Sequence, residues 1–132
     1  MQLWCLLVTM DYRAEGIFEL VIIIFFRSFM MNEAATGILQ QDKETIISII
    51  HAVLPKCKIY LFGSRAQGKQ DVGSDIDIAV DTGAFIDREK IYLIKERLEE
   101  TIIPQRVDVV DLHSASDVLK EQVMTKGIVW KD

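Results

Sequence analysis

Residues 75–78 read Asp-Ile-Asp-Ile, inside the alternating run SDIDIAV (residues 74–80). Side chains of a strand point alternately to its two faces, so Ile76 and Ile78 share one face and Asp75 and Asp77 the other. The isoleucines belong in a core, which calls for helices packed over their face. The two carboxylates then lie ~6–7 Å apart along the strand by its rise. At that range two like charges repel by on the order of a kcal/mol in a medium of intermediate dielectric. A hard divalent cation reverses the sign of that interaction. Oxygen-only ligands suit magnesium, which also keeps waters and phosphate oxygens in its shell. Taken alone, the Asp-x-Asp pair reads equally as a solvated strand face.

The elements around this strand follow from periodicity. QDKETIISIIHAVLP (residues 41–55) reads as a helix, with Asp42 as its cap, Ile46, Ile50 and Val53 on one face, and Pro55 as its stop. Lys58 to Phe62 is a short β-rich run. GSRAQG (residues 63–68) begins with a turn and opens a short helix. DREKIYLIKERLEE (residues 87–100) is amphipathic, with Ile91, Ile94 and Leu98 apolar. RVDVVDL (residues 106–112) is a third strand. SASDVLKEQVMTK (residues 114–126) is a last helix, with Gly127 as C′ cap before a terminal strand at IVW. The expected architecture is α/β or α+β: a small mixed sheet of three to four or more strands flanked by helices. One face of that sheet is expected to be covered and the other, or its edge, free to hold a site. At 132 residues the chain fits one such core.

The loop between the first two strands carries phosphate chemistry. Gly63 lets backbone approach a ligand closely. Ser64 offers a hydroxyl and an N–H, groups that favour phosphate at turns and helix starts. Arg65 could add a charge-assisted bond. An ordinary strand-to-helix turn explains the loop equally well, and no Gly-Lys-Ser/Thr follows, so it is not a Walker loop. Asp71 reads as a turn residue.

Other classes are disfavoured. Net charge is −5, a poor match for non-specific nucleic-acid binding, which relies on neutralising phosphates. Cys5 and Cys57 have no metal-ligand spacing and read as reduced thiols of a cytoplasmic protein. His51 and His113 are isolated and read as ordinary helix or loop residues. The run Ile17 to Phe26 is very apolar but would reach only ~15 Å as a helix, against a bilayer core of ~30 Å, and Glu19 interrupts it. A membrane span is therefore not expected, and the flanks do not suit a signal peptide. Residues 1–30 read as an apolar extension: an added core or interface element, a segment dipping into a membrane surface, or the product of a start assigned too early, with Met30 or Met31 the true one. The domain proper is expected over residues 31–132.

Loop and acids together are more specific than either alone. Ten residues separate Ser64 from Asp75, giving G-S-x10-D-x-D. With Gly63, Ser64, Arg65, Gly68, Ser74, Asp75 and Asp77 in place, the chain resembles the minimal nucleotidyltransferase family of the DNA polymerase β superfamily, from about Asp42 to Trp130. The family's GSRARG stands here with Gln67 for its second arginine. The resemblance implies a third carboxylate on a neighbouring strand, and Asp108, between Val107 and Val109, matches it. Asp111 is three residues on, faces the other side of a regular strand, and reads as a strand-end or capping residue.

The resemblance further implies AMP transfer from ATP, with two magnesium ions held by Asp75, Asp77 and Asp108, and with Gly63, Ser64, Arg65 and Ser74 at the nucleotide. It implies as acceptor a tyrosine of a partner HEPN-domain ribonuclease toxin, which makes the protein an antitoxin in a hetero-oligomer. The alternatives are a non-catalytic antitoxin that neutralises its partner by contact, and a nucleotide sensor without turnover.

Overall fold

The computed structural model describes residues 19–26 and 35–132. The chain divides into two compact units, Met1–Asn32 and Glu33–Asp132. In the first, residues 19–26 are helical; the remaining residues of the extension, Cys5 and the alternative starts at Met30 and Met31 lie outside the described residues. Among the described residues no helix is long and apolar enough to cross a membrane.

The second unit runs α1 (Gln40–Val53), β1 (Lys58–Phe62), β2 (Ile76–Asp81), α2 (Arg88–Glu99), β3 (Val107–Asp111), a 3₁₀ turn (Leu112–Ser114), α3 (Asp117–Lys126) and β4 (Ile128–Lys131). The strands form one mixed sheet in the order β3-β2-β1-β4. β1 is antiparallel to β2 and to β4, while β2 and β3 are parallel and joined through α2. This is the mixed sheet expected from the sequence.

The alternating strands place one core on each face. Ile59, Leu61, Ile76, Ile78, Val80 and Val109 are buried with Ile46 and Ile50 of α1 and with Ile94 and Leu98 of α2. The opposite face is not left free, as the sequence reading had it. There Tyr60, Phe62 and Ala79 are buried with Leu112 and with Val123 of α3. By alternation Asp77 shares this second face with Ala79, and Asp108 shares it with Val110.

Three local expectations are corrected. α1 begins at Gln40, so Asp42 lies buried in its first turn, and the cap position falls on Leu39, which makes no side-chain cap bond. A first-turn carboxylate still suits the positive end of the helix. Residues 63–68 form consecutive turns rather than a helix, because the bonds from Gln67 and Lys69 back to Ser64 are not continued. Gly127 does end α3, its N–H donating to Val123 O at 2.9 Å, but its φ of −72° is one that any residue adopts. Glycine is needed there for space: a Cβ would run into the Val123 carbonyl and lie 3.3 Å from Leu61 O.

Gly127→Ala therefore forces backbone apart where α3 joins β4. It is expected to cost about 1–3 kcal/mol, the range for an over-packed interior. The readout is a lower urea midpoint at unchanged slope.

Candidate active site

Asp77 and Asp108 pair at one end of the second face, with Asp75 near enough to act on the charge of Asp77. Asp77, the second residue of β2, pairs in register with Asp108 of the parallel strand β3. Residues paired across adjacent strands point to the same face, and the strands lie about 4.8 Å apart. Asp75 comes one residue before β2, in irregular backbone, and its side chain is exposed. Ile76 between the two acids is fully buried, and its N–H donates to Arg106 O at 2.8 Å, which ties the start of β2 to the start of β3. The cluster is thus anchored from behind by the isoleucine core.

Burial raises the pKa of Asp77 above the ordinary carboxylate value, and the negative charges of Asp108 and Asp75 push it further the same way. This is the electrical signature of a site that favours a cation. The donors are carboxylate oxygens only, a set that fits magnesium. Among the described residues, however, no three such side chains converge as a ready-made metal cage. Magnesium needs none: it is commonly held by one or two carboxylates together with substrate phosphates.

The glycine turn presses directly on this cluster. Gly63 follows β1 with φ +78°, a conformation that favours glycine, and a Cβ there would run into the Asp77 carboxylate. The turn's backbone and the acid are therefore in contact. Ser64 lies in the same turn, its carbonyl accepting from Lys69 N–H at 2.9 Å.

Arg65 is not brought to the phosphate position. It is 2% exposed, and its guanidinium is used internally. Nε and Nη2 donate to Ser74 O at 3.0 and 2.8 Å, and Nη1 donates to Thr36 O at 2.9 Å. A planar fork of fixed donors suits this task and a lysine does not. Arg65 therefore holds the carbonyl next to Asp75 and shapes the loop that presents it. Ser74 is engaged in the same loop, its Oγ accepting from Asp71 N–H at 2.9 Å and its own N–H donating to Asp71 O. Asp71 is a turn residue, as expected. Asp111 is a capping residue, also as expected: its carboxylate accepts from Ile86 N–H and from His113 N–H, both at 3.0 Å.

Lys95 is a residue that the sequence reading missed. From α2 its Nζ lies 3.1 Å from Asp108 Oδ1. It also lines an open groove of about 330 Å³ beside β3, together with Arg88, Ile91 and Val110. Helical periodicity places Lys95 four residues after Ile91, hence near β3. Nothing in the sequence says which strand residue it meets.

Comparison with known proteins places this fold in a nucleotidyltransferase family. The polymerase beta, nucleotidyltransferase family matches residues 44–131, and the chain belongs to it. A protein adenylyltransferase MntA from Shewanella oneidensis is 42% identical over 89 residues, covering 67% of this chain and 63% of that protein. The chain thus spans less than two thirds of that relative's length. A probable protein adenylyltransferase MntA from Haemophilus influenzae is 28% identical over 103 residues, 78% of this chain and 90% of the relative. Among solved structures, a toxin–antitoxin with AMP-PNP superimposes with a TM-score of 0.59 at 40% identity, over 67% of this chain and 71% of the other. A complex of tri-AMPylated Shewanella oneidensis HEPN toxin with its MNT antitoxin gives 0.56 at 36% identity, over 69% and 70%.

Two predictions follow from the geometry. The fold favours the neutral form of Asp77 more than the unfolded chain does, so its contribution to stability is present at acid pH and lost as pH rises through its raised pKa. In cation-free buffer at pH 7, Asp77→Asn is accordingly expected to melt above the wild type, with the gap closing in acid, as calorimetry across pH would show. Arg65→Lys keeps the charge but loses the fork to Ser74 and Thr36. It is expected to cost about 2 kcal/mol in chemical denaturation, the scale of a lost hydrogen bond to a charged group.

Proposed function

We propose that the protein transfers AMP from ATP to a hydroxyl group of a partner protein, a tyrosine of a HEPN-domain toxin, and so acts as its antitoxin. The observation that carries this reading is the contact between the Gly63 turn and Asp77, with Asp75 and Asp108 beside it. A backbone that can approach phosphate stands against acids that can hold its counter-ions. The relatives lend the substrates: AMP-PNP accompanies one toxin–antitoxin, and the toxin of another is tri-AMPylated. A cytoplasmic setting is part of the same reading, supported by Cys57 as a buried free thiol.

In this mechanism Asp75 and Asp77 would hold one magnesium ion and Asp77 with Asp108 a second. Magnesium would supply positive charge against the charge that develops on oxygen during the displacement. Gly63 and Ser64 orient the β- and γ-phosphates through backbone N–H groups. Asp108 helps take the proton from the acceptor hydroxyl as it attacks the α-phosphorus, and pyrophosphate leaves. Arg65 and Ser74 act at one remove, by fixing the loop ahead of Asp75.

The test is incubation with α-labelled ATP, magnesium and a HEPN-domain toxin as acceptor. Label on the partner is expected, and Asp75→Asn or Asp77→Asn should reduce it at least a hundredfold while the fold survives. Neutralisation of the partner without label would instead favour the contact-only antitoxin. Magnesium with a non-hydrolysable ATP analogue should stabilise the wild type by ~2.7 kcal/mol at a hundredfold excess over its dissociation constant. A flat titration would remove the nucleotide site.

A further inference from the structure

The three acids of the site are not treated alike. Among the described residues the only cation paired with any of them is Lys95, whose Nζ meets Asp108 Oδ1 at 3.1 Å. Each side chain of that pair is 40% exposed, so the contact is reversible rather than locked. Its place is informative. Asp108 stands in register with Asp77, and a cation shared by the two would use the same carboxylate that Lys95 now holds.

A lysine has the right properties for a temporary occupant. It is a compact charge on a flexible four-carbon stem and can swing away without disturbing its helix. Here the stem rises from α2 beside an open groove, which leaves room for that movement. A divalent ion at about 2.0–2.1 Å from a carboxylate oxygen and an ammonium on the same group repel one another, so one must yield.

We propose that Lys95 is a displaceable counter-ion: it neutralises Asp108 in the cation-free protein and competes with the divalent cation that binds between Asp77 and Asp108. This rests on the metal assignment made above and adds regulation to it. With Lys95 in place, the second cation position has low affinity on its own. It fills at lower cation concentration when a triphosphate supplies extra negative charge, so nucleotide favours the loading of metal.

The test uses the full chain without nucleotide, at low salt, with manganese as probe and free manganese read by electron paramagnetic resonance. Lys95→Met is compared with wild type and with Lys90→Met, the same charge change at an exposed position five residues earlier on α2. Lys95→Met is expected to bind manganese about three- to fivefold more tightly, the scale of one solvent-accessible ion pair, with Lys90→Met close to wild type. Equal affinity of Lys95→Met and wild type would overturn the proposal while leaving the metal site intact. So would an equal gain in both lysine variants, which would reduce the effect to long-range charge. Absence of manganese binding to Lys95→Met without nucleotide would likewise overturn the proposal, and absence of binding also with a non-hydrolysable ATP analogue would remove the metal assignment as well.

Discussion

Mutual repulsion of carboxylates is the constraint around which this domain is arranged. Asp77 is half-buried beside Asp108 and Asp75, and its ionisation is disfavoured by all three circumstances. Such an arrangement persists only if the backbone gives the charges no room to separate. The register of β2 and β3 does this, since a slip of one residue would carry Ile76 and Ile78 out of the core. Hydrophobic packing on one face of the sheet thereby holds an unfavourable electrostatic arrangement on the other.

Two cations near the site illustrate how environment sets role. Arg65 lies beneath the surface and is saturated by backbone carbonyls, so its charge serves architecture. Lys95 is half in solvent and meets a carboxylate, so its charge serves the site. The polar groups of Ser74 belong with those of Arg65, since its carbonyl and hydroxyl both bond within the protein. In the proposed mechanism the glycine turn is then left as the phosphate-facing element, acting through backbone rather than side chains.

Much of this was legible in the sequence because it depends on short-range periodicity. The alternation at residues 74–80 gave the strand and its two faces, although β2 begins only at Ile76 and leaves Asp75 just outside it. The three-residue spacing of Asp108 and Asp111 put the two on opposite faces, and the structure puts Asp111 on Ile86 and His113 as a cap. What was not legible depends on contacts between distant segments. The partners of Arg65 lie at residues 36 and 74, and no local pattern announces that a loop arginine will turn inward. The Lys95–Asp108 pair joins a helix to the following strand, and covering of the second face by α3 depends on chain path beyond β3. Even Gly127 misled in part: its absent side chain leaves room for the Val123 carbonyl of the preceding turn and also for Leu61 O, far away in sequence.

The hydrogen bonds of the loop also say where the domain must begin. Arg65 reaches Thr36 O, and Gln70 Nε2 donates to Ala35 O at 3.0 Å, although α1 does not start until Gln40. Two carbonyls ahead of α1 therefore serve as mooring points for the backbone that presents Asp75. Shortening the chain to Gln40 would preserve every strand, yet take Ile38 out of the first core and cast the loop adrift. A minimal functional fragment is delimited by those moorings, several residues upstream of α1.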